Sequence, residues 1–443
     1  MKNFLASPLF RLIWSVALAL FIYLICPPCF SKTTLAVLLL VLLLIINFSG
    51  PISKIKLLTH VARFLTGGLF VFSGFIKAND PLGFSYKLEE YFEVFKADTG
   101  LAFFEYFAHA SLPLAIIICA SEIILGIMLL IGYKRELTLW LLFAQIAFFT
   151  FLTFYSACYN KVTHCGCFGD FLPLKPWESF WKDVALMVLI ALLFAGKKNI
   201  RPLFANMVNN TVFMLGLVFA VGFPVYAYRN LPPLDFRAYA PGENIALNMQ
   251  KGEGYIDPVY ETHLVYENIQ TGDKVSFTQE EYMSSKIWED TLTWRWFATD
   301  NHLVSEAVNP PRITDFTVTD LDGDDVTSEL LNDEGYSFWL IMHELKKTEN
   351  DKDLMAQIND LYKHATSEGY KVYAFTASGP SEIDAFKHEH NALYDFVTVD
   401  NTVLKTMIRS NPGLMLMKKG TVIANWHHNN FPGFSEVKEE HMK

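Results

Sequence analysis

Of 443 residues, 52% are apolar and only 19% charged, with a mean hydropathy of +0.24, a balance that argues against a wholly soluble chain, while the length allows about three units. Charge is divided unevenly: up to Arg229 there are 18 Lys and Arg against 11 Asp and Glu, and beyond it 18 against 35. So acidic a second half excludes a nucleic-acid partner, which needs a basic footprint for the phosphate backbone.

In chain order the first half reads as about seven apolar stretches, most of them near the roughly 17–25 residues that a bilayer crossing needs. They cover 9–25, 34–46, 57–76, 110–131, 137–158, 180–195 and 207–227. The second and sixth are short and must borrow flanking residues or sit where the bilayer thins. The first follows Lys2 as a signal-peptide core would, but no small-residue cleavage site comes after it, so it reads as a retained helix. Lys54 and Lys56, then Lys134 and Arg135, then Lys197, Lys198 and Arg201 fall in alternate loops. Positive loops stay in the cytoplasm, which sets the N-terminus there and the odd-numbered loops and the C-terminal half outside. The acidic third loop, with Asp80, Glu89, Glu90, Glu93, Asp98 and Glu105, agrees.

That topology gathers Cys26 and Cys29 of the first loop with Cys158, Cys165 and Cys167 at the fifth, all on the oxidising face where disulfides persist. Cys119 falls inside a span as a small inert thiol. Cys26-Pro27-Pro28-Cys29 has the C-x-x-C spacing of a redox dithiol; a structural bridge in a helix-breaking turn is the plainer reading. In His164-Cys165-Gly166-Cys167-Phe168-Gly169 a bridge across one glycine would close a very small, strained ring, and strained bridges are the oxidising ones. A charged His164 would favour the thiolate. Three readings stand for this loop: redox exchange, a static bridge to the Cys26/Cys29 loop, or half of a metal site.

Glu122 lies near the middle of the fourth span, where an ionisable group is costly and marks a functional candidate. Gln145, at similar depth in the fifth span, is its expected hydrogen-bond neighbour. A neutral Glu122 bridging helices is the alternative to a proton-relay or ligand role.

These residues carry a resemblance. Arg63-Phe64-x-x-Gly67, Phe72-Ser73-Gly74-x-x-Lys77, Asp80-Pro81-x-Gly83, the mid-span Glu122 and Cys165-Gly166-Cys167-Phe168-Gly169 resemble the DoxX/MauE-like membrane proteins. The resemblance implies a four-helix membrane bundle, here spans three to six, and a redox-linked role. MauE is associated with maturation of the disulfide-rich methylamine dehydrogenase, and DoxX with thiosulfate oxidation. With a preceding helix pair and a C-terminal ectodomain, the chain is most similar to a Bacteroidetes branch of DoxX-like proteins, which implies the bacterial inner membrane with the C-terminal domain in the periplasm.

From Leu231-Pro232-Pro233 the composition turns polar and acidic, as in a linker, and Asn309-Pro310-Pro311 marks a second boundary. Between them, strands at 263–269 and 274–277 flank Thr271-Gly272-Asp273 as a hairpin, with Trp288, Trp294 and Trp296 expected to anchor a small core. Beyond, strands at 313–318, 336–343, 371–376 and 396–399 alternate with helices at 351–364, from 381, and at 403–409, before a hairpin of 414–418 and 421–426. Strands separated by helices argue for βαβ units. With Pro412 just before the last hairpin, the pattern resembles a thioredoxin-like domain, in which that proline is commonly cis and lies beside the dithiol. Where the C-x-x-C would stand the chain reads Glu344-Leu345-Lys346-Lys347, so this domain cannot run the reaction but can bind an extended peptide or dock over the membrane cysteines. Asp320, Asp322, Asp324 and Asp325 miss the EF-hand spacing and read as a solvated hairpin. His427-His428 reads as a surface pair.

The expected domains are a helix pair over 1–56, a DoxX/MauE-like bundle over 57–200, a seventh span over 201–230, a small β-rich domain over 231–310 and the thioredoxin-like domain over 311–443. The function expected is support of thiol–disulfide exchange or maturation of envelope proteins: Cys165 and Cys167 exchange with Cys26 and Cys29, and the thiol-free domain presents a substrate or redox partner. A quinone near Glu122 is the electron sink that analogy with other membrane redox bundles suggests. The rival is a non-catalytic scaffold with structural disulfides.

Overall fold

A computed structural model describes residues 56–159, 161–162, 166, 168–305, 307–348 and 352–442. The first two expected spans, with Cys26 and Cys29, lie outside the described residues, as do His164, Cys165 and Cys167.

The first half is helical: α1 (Lys56–Asn79), α2 (Pro81–Thr99), α3 (Phe103–His109), α4 (Ser111–Ile131), α5 (Arg135–Tyr159), α6 (Pro176–Ala195) and α7 (Asn206–Arg229). Among the described residues four helices, α1, α4, α5 and α7, are long and apolar enough to cross a membrane. The helix α6 has the length, but Glu178, Lys182 and Asp183 charge its first half. Outward-facing Leu57, Phe64, Ile117, Trp140, Leu215 and Val218 suit these helices to lipid.

Helices in lipid gain little from the hydrophobic effect between them, so close packing and polar contacts hold them together. α1 and α4 meet along a seam of small residues. A Cβ on Gly126 would sit 2.8 Å from the Gly67 carbonyl oxygen, and one on Gly74 would sit 2.8 Å from the Glu122 Cβ. At the other end of α1 the buried Arg63 donates to the carbonyls of the last turn of α4, Leu129 at 2.9 Å and Leu130 at 2.7 Å, and to that of Arg201 at 3.2 Å.

Residues 81–109 read as a loop in the sequence but form α2 and α3. Asp80 caps α2 by accepting from the Gly83 amide at 2.9 Å, with Pro81 in the first turn. Phe84, Leu88, Tyr91 and Phe95 recur at helical spacing and are buried, while the glutamates between them hide this periodicity from a hydropathy reading.

After α7, β1 (Val259–Asn268) pairs antiparallel with β2 (Lys274–Thr278), as the hairpin expectation requires, and also with a further strand, β3 (Trp294–Ser305). Trp296 is 59% exposed on β3, so it does not anchor a core there.

The last part is an α/β domain: β4 (Tyr336–Ile341), α8 (Lys352–Ser367), β5 (Lys371–Thr376), α9 (Pro380–His390), β6 (Asp395–Thr398), α10 (Asn401–Met407), β7 (Gly413–Lys418), β8 (Thr421–His427) and α11 (Phe434–His441). Its sheet order is β6-β5-β4-β7-β8, parallel from β4 to β6 and antiparallel across β7 and β8. Alternate side chains of β4 feed two cores. Phe338 and Leu340 pack with Ile358 and Phe386, and Trp339 and Ile341 with Phe375, Leu404 and Tyr239. The strand expected at 313–318 does not form. Val318 instead pairs with Val326 and Thr327, and only Thr319 bridges to Thr398.

Candidate functional site

The interior of the bundle is charged. Lys77, near the end of α1, lies 2.6 and 2.8 Å from the two oxygens of Glu122 on α4, and donates to the Ser73 hydroxyl at 2.8 Å. Both side chains are 3% exposed. Phe149 of α5 offers its ring 4.7 Å from the Lys77 ammonium. The Gln145 expectation fails: its amide donates to Ser121 at 2.9 Å and to the Ile118 carbonyl, because it faces the other side of α4. One more pair stands on α6, where the fully buried Asp183 lies 2.7 Å from Lys182 and accepts from Thr153 at 3.1 Å.

Both pairs line one small open cleft, with room for about one water, whose other walls are Leu69, Phe70, Ser73, Ile146, Phe149, Phe168 and Leu186. Two cations and two anions among apolar walls form a chain of charged groups able to exchange protons. Phe168 closes the pocket beside Lys182, whose ammonium lies 5.3 Å from its ring centre. Asp183 is an ionisable group at membrane depth and could have been flagged by the same rule that singles out Glu122.

Of the stretch between α5 and α6, the described residues Lys161, Gly166 and Phe168 to Phe171 lie at the end of the bundle where α1 finishes. Cys158, in the last turn of α5, is disulfide-bonded. Cys119 is a free buried thiol. Lys161 pairs with Asp98, Gly166 backs onto Lys87 and Phe84, and Phe168 packs on Phe72.

The α/β domain docks on the same end. Arg409, 6% exposed, donates through Nε to both oxygens of Asp80 at 3.0 and 2.9 Å, and its Nη2 lies 3.4 Å from Asp170. Lys405 and Arg409 both lie over the ring of Tyr86. Asn79 exchanges two hydrogen bonds with the Leu234 backbone, and Phe171 meets Phe236 edge to face at 5.0 Å.

Pro412 follows directly after Arg409, Ser410 and Asn411, and the Asn411–Pro412 bond is cis. The Asn411 amide donates to the Glu344 carbonyl at 2.9 Å. The sequence Glu344-Leu345-Lys346-Lys347 enters a helical turn, Leu345–Thr348. His343, at the end of β4, is pushed down to about 4 by burial and by the Lys405 charge. His427 is not a surface residue. It is 3% exposed, because β8 turns it inward, and burial with the neighbouring His428 pushes it down to about 3. Among the described residues no cluster of His, Cys, Asp and Glu is arranged to hold a metal ion.

A helical bundle with several membrane-crossing helices, charged inside and joined to an α/β domain, defines a multi-pass membrane protein. Residues 55–196 match the family model of methylamine utilisation protein MauE, so this stretch, about a third of the chain, is similar to that family. No curated protein and no solved structure matches the chain.

Proposed function

We infer that this protein is a membrane accessory of thiol–disulfide chemistry that supports the maturation of envelope proteins, with Cys165 and Cys167 exchanging with Cys26 and Cys29. One observation carries the reading: Cys158, at the end of α5, is disulfide-bonded, and Asp170, further along toward α6, is held by Arg409 of a thiol-free α/β domain. The sequence has six cysteines. With Cys119 shut inside α4, an odd number remains, so full oxidation within one chain still leaves a thiol able to attack a disulfide. In each exchange a thiolate sulfur forms one S–S bond while another breaks, and the released sulfur takes up a proton, so no outside oxidant enters the step.

The α/β domain is proposed to be thioredoxin-like, a reading supported by its mixed sheet and by Pro412 beside the β4 end. Its role is to seat over the cysteine segment and present a partner protein. The chain sits in a bacterial inner membrane with this domain in the periplasm. For net oxidation a lipid-soluble acceptor of the quinone class would suit the apolar walls and paired charges near Glu122.

An impermeant maleimide applied to intact spheroplasts after mild reduction tests the arrangement. Cys26 and Cys165 should label together from the outside, and labelling from opposite sides would end the proposal. The scaffold reading draws on the same Cys158 disulfide if it is permanent. C165S/C167S should then lower protein abundance while leaving oxidation of envelope proteins unchanged, whereas the exchange reading expects that oxidation to fall.

A further inference from the structure

We propose that the cleft between the two buried ion pairs of the bundle binds one water molecule, and that this water joins Lys77, Glu122, Lys182 and Asp183 into a single proton-exchange network entered at Lys182. The network makes no use of the cysteines, so it stands whether or not they turn over.

Burial falls off in one direction along the four groups. The side chains of Lys77 and Glu122 are each 3% exposed and that of Asp183 1%, whereas that of Lys182 is 22% exposed. Lys182 therefore meets the surroundings and Glu122 does not. Asp183 Oδ1 lies 2.7 Å from the Lys182 ammonium, yet it is buried and among the described residues accepts no well-aligned hydrogen bond. The other oxygen of Asp183 accepts from Thr153. A buried acceptor without an aligned donor calls for a water. Such a water needs about two to four polar partners, and the cleft offers both ammonium groups, both carboxylates and the Ser73 hydroxyl.

Each transfer balances. Lys182 gives an ammonium proton to the Asp183 carboxylate and takes another from water at the mouth of the cleft. Asp183 releases that proton to the cleft water as the water hands one of its own to the Glu122 carboxylate. One proton has then moved inward, an N–H or O–H bond forming for each that breaks, with no oxidant or reductant. Transfer through a single water is within the reach of acid–base exchange. Around the pairs stand Cys119, one turn before Glu122 on α4, and Lys87 and Tyr91 of α2, which share a second, smaller cleft with Lys77. Asp80, three residues beyond Lys77, is committed to Arg409. None of these groups lines the first cleft.

The test uses the full-length protein in lipid nanodiscs, with the infrared band of protonated carboxyl groups followed through a pH titration and after a pH jump. E122Q and D183N assign the two bands. D183N, which removes a negative charge from the shared network, should weaken proton binding at Glu122 about tenfold, and E122Q should weaken it at Asp183 in the same sense. K182R separates a relay from a structural pair, since a guanidinium keeps the ion pair but gives up no proton. It should leave the Glu122 midpoint near that of the wild type and slow the arrival of the proton there about a hundredfold. I146F fills the cleft without removing a charge and should slow arrival likewise, while hydrogen exchange on α4 shows the bundle still folded. Midpoints of Glu122 and Asp183 that ignore each other, or arrival as fast in K182R and I146F as in the wild type, would overturn the proposal.

Discussion

The bundle and the α/β domain handle charge in opposite ways. Inside the bundle Arg63, Lys77, Glu122 and Asp183 are almost wholly buried and every one has a partner. In the α/β domain the sheet is apolar on both faces, and ion pairs such as Lys371–Asp333 and Lys419–Glu334 lie outside. Water drives the second arrangement by expelling apolar side chains. Lipid offers no such drive between helices, so the first depends on a small-residue seam and on polar groups that have nowhere else to go. Arg409 departs from this rule as a buried cation of the α/β domain, and it lies where the two regions meet.

Mutations can break this contrast in graded steps, read by hydrogen exchange on each region separately. K77M leaves the Glu122 carboxylate buried without its cation and should destabilise the bundle by about 3–5 kcal/mol, with the α/β core unaffected. K77M/E122L, which removes both charges, should recover most of the loss. F338A should do the reverse, costing the α/β domain about 3–5 kcal/mol and leaving the α1–α4 seam protected. G126V crowds that seam and should cost about 1–3 kcal/mol.

Acid should act on the α/β domain through His343 and His427. Both are depressed below the ordinary histidine value, so the unfolded chain binds more protons than the folded one as pH drops below that value. Stability is complete above about 6.5 and is lost on the way down to about 4 for His343 and about 3 for His427. A denaturation series in H343Q/H427N should show a flatter pH profile over that window. K96A, which removes an exposed pair with Glu105, should leave both regions unchanged.

Hydropathy made α1, α4, α5 and α7 legible, since an unbroken apolar run has few alternatives in a bilayer. It missed α2, where Glu89, Glu90 and Glu93 interrupt the buried stripe. Periodicity gave the order of strands and helices from β4 to β8, but not β3, whose polar Asp300 and Asn301 break its alternation. Lys77, Gly74, Asp80 and Glu122 stand out in the sequence as motif residues, but their pairings do not. Lys77 and Glu122 are 45 positions apart and Asp170 and Arg409 are 239 apart, and a sequence read singly holds no record of such contacts. Depth alone therefore pairs Glu122 with Gln145, which lies at the same level but bonds Ser121 and Ile118 on another face of α4.

Trapping the cysteines of intact membranes with a mass-shifting maleimide before lysis, after a pulse of reductant or oxidant, tests the account most directly. Reversible gain and loss of label at Cys165 and Cys167 is the predicted result. A pair that keeps one state through both pulses would contradict it.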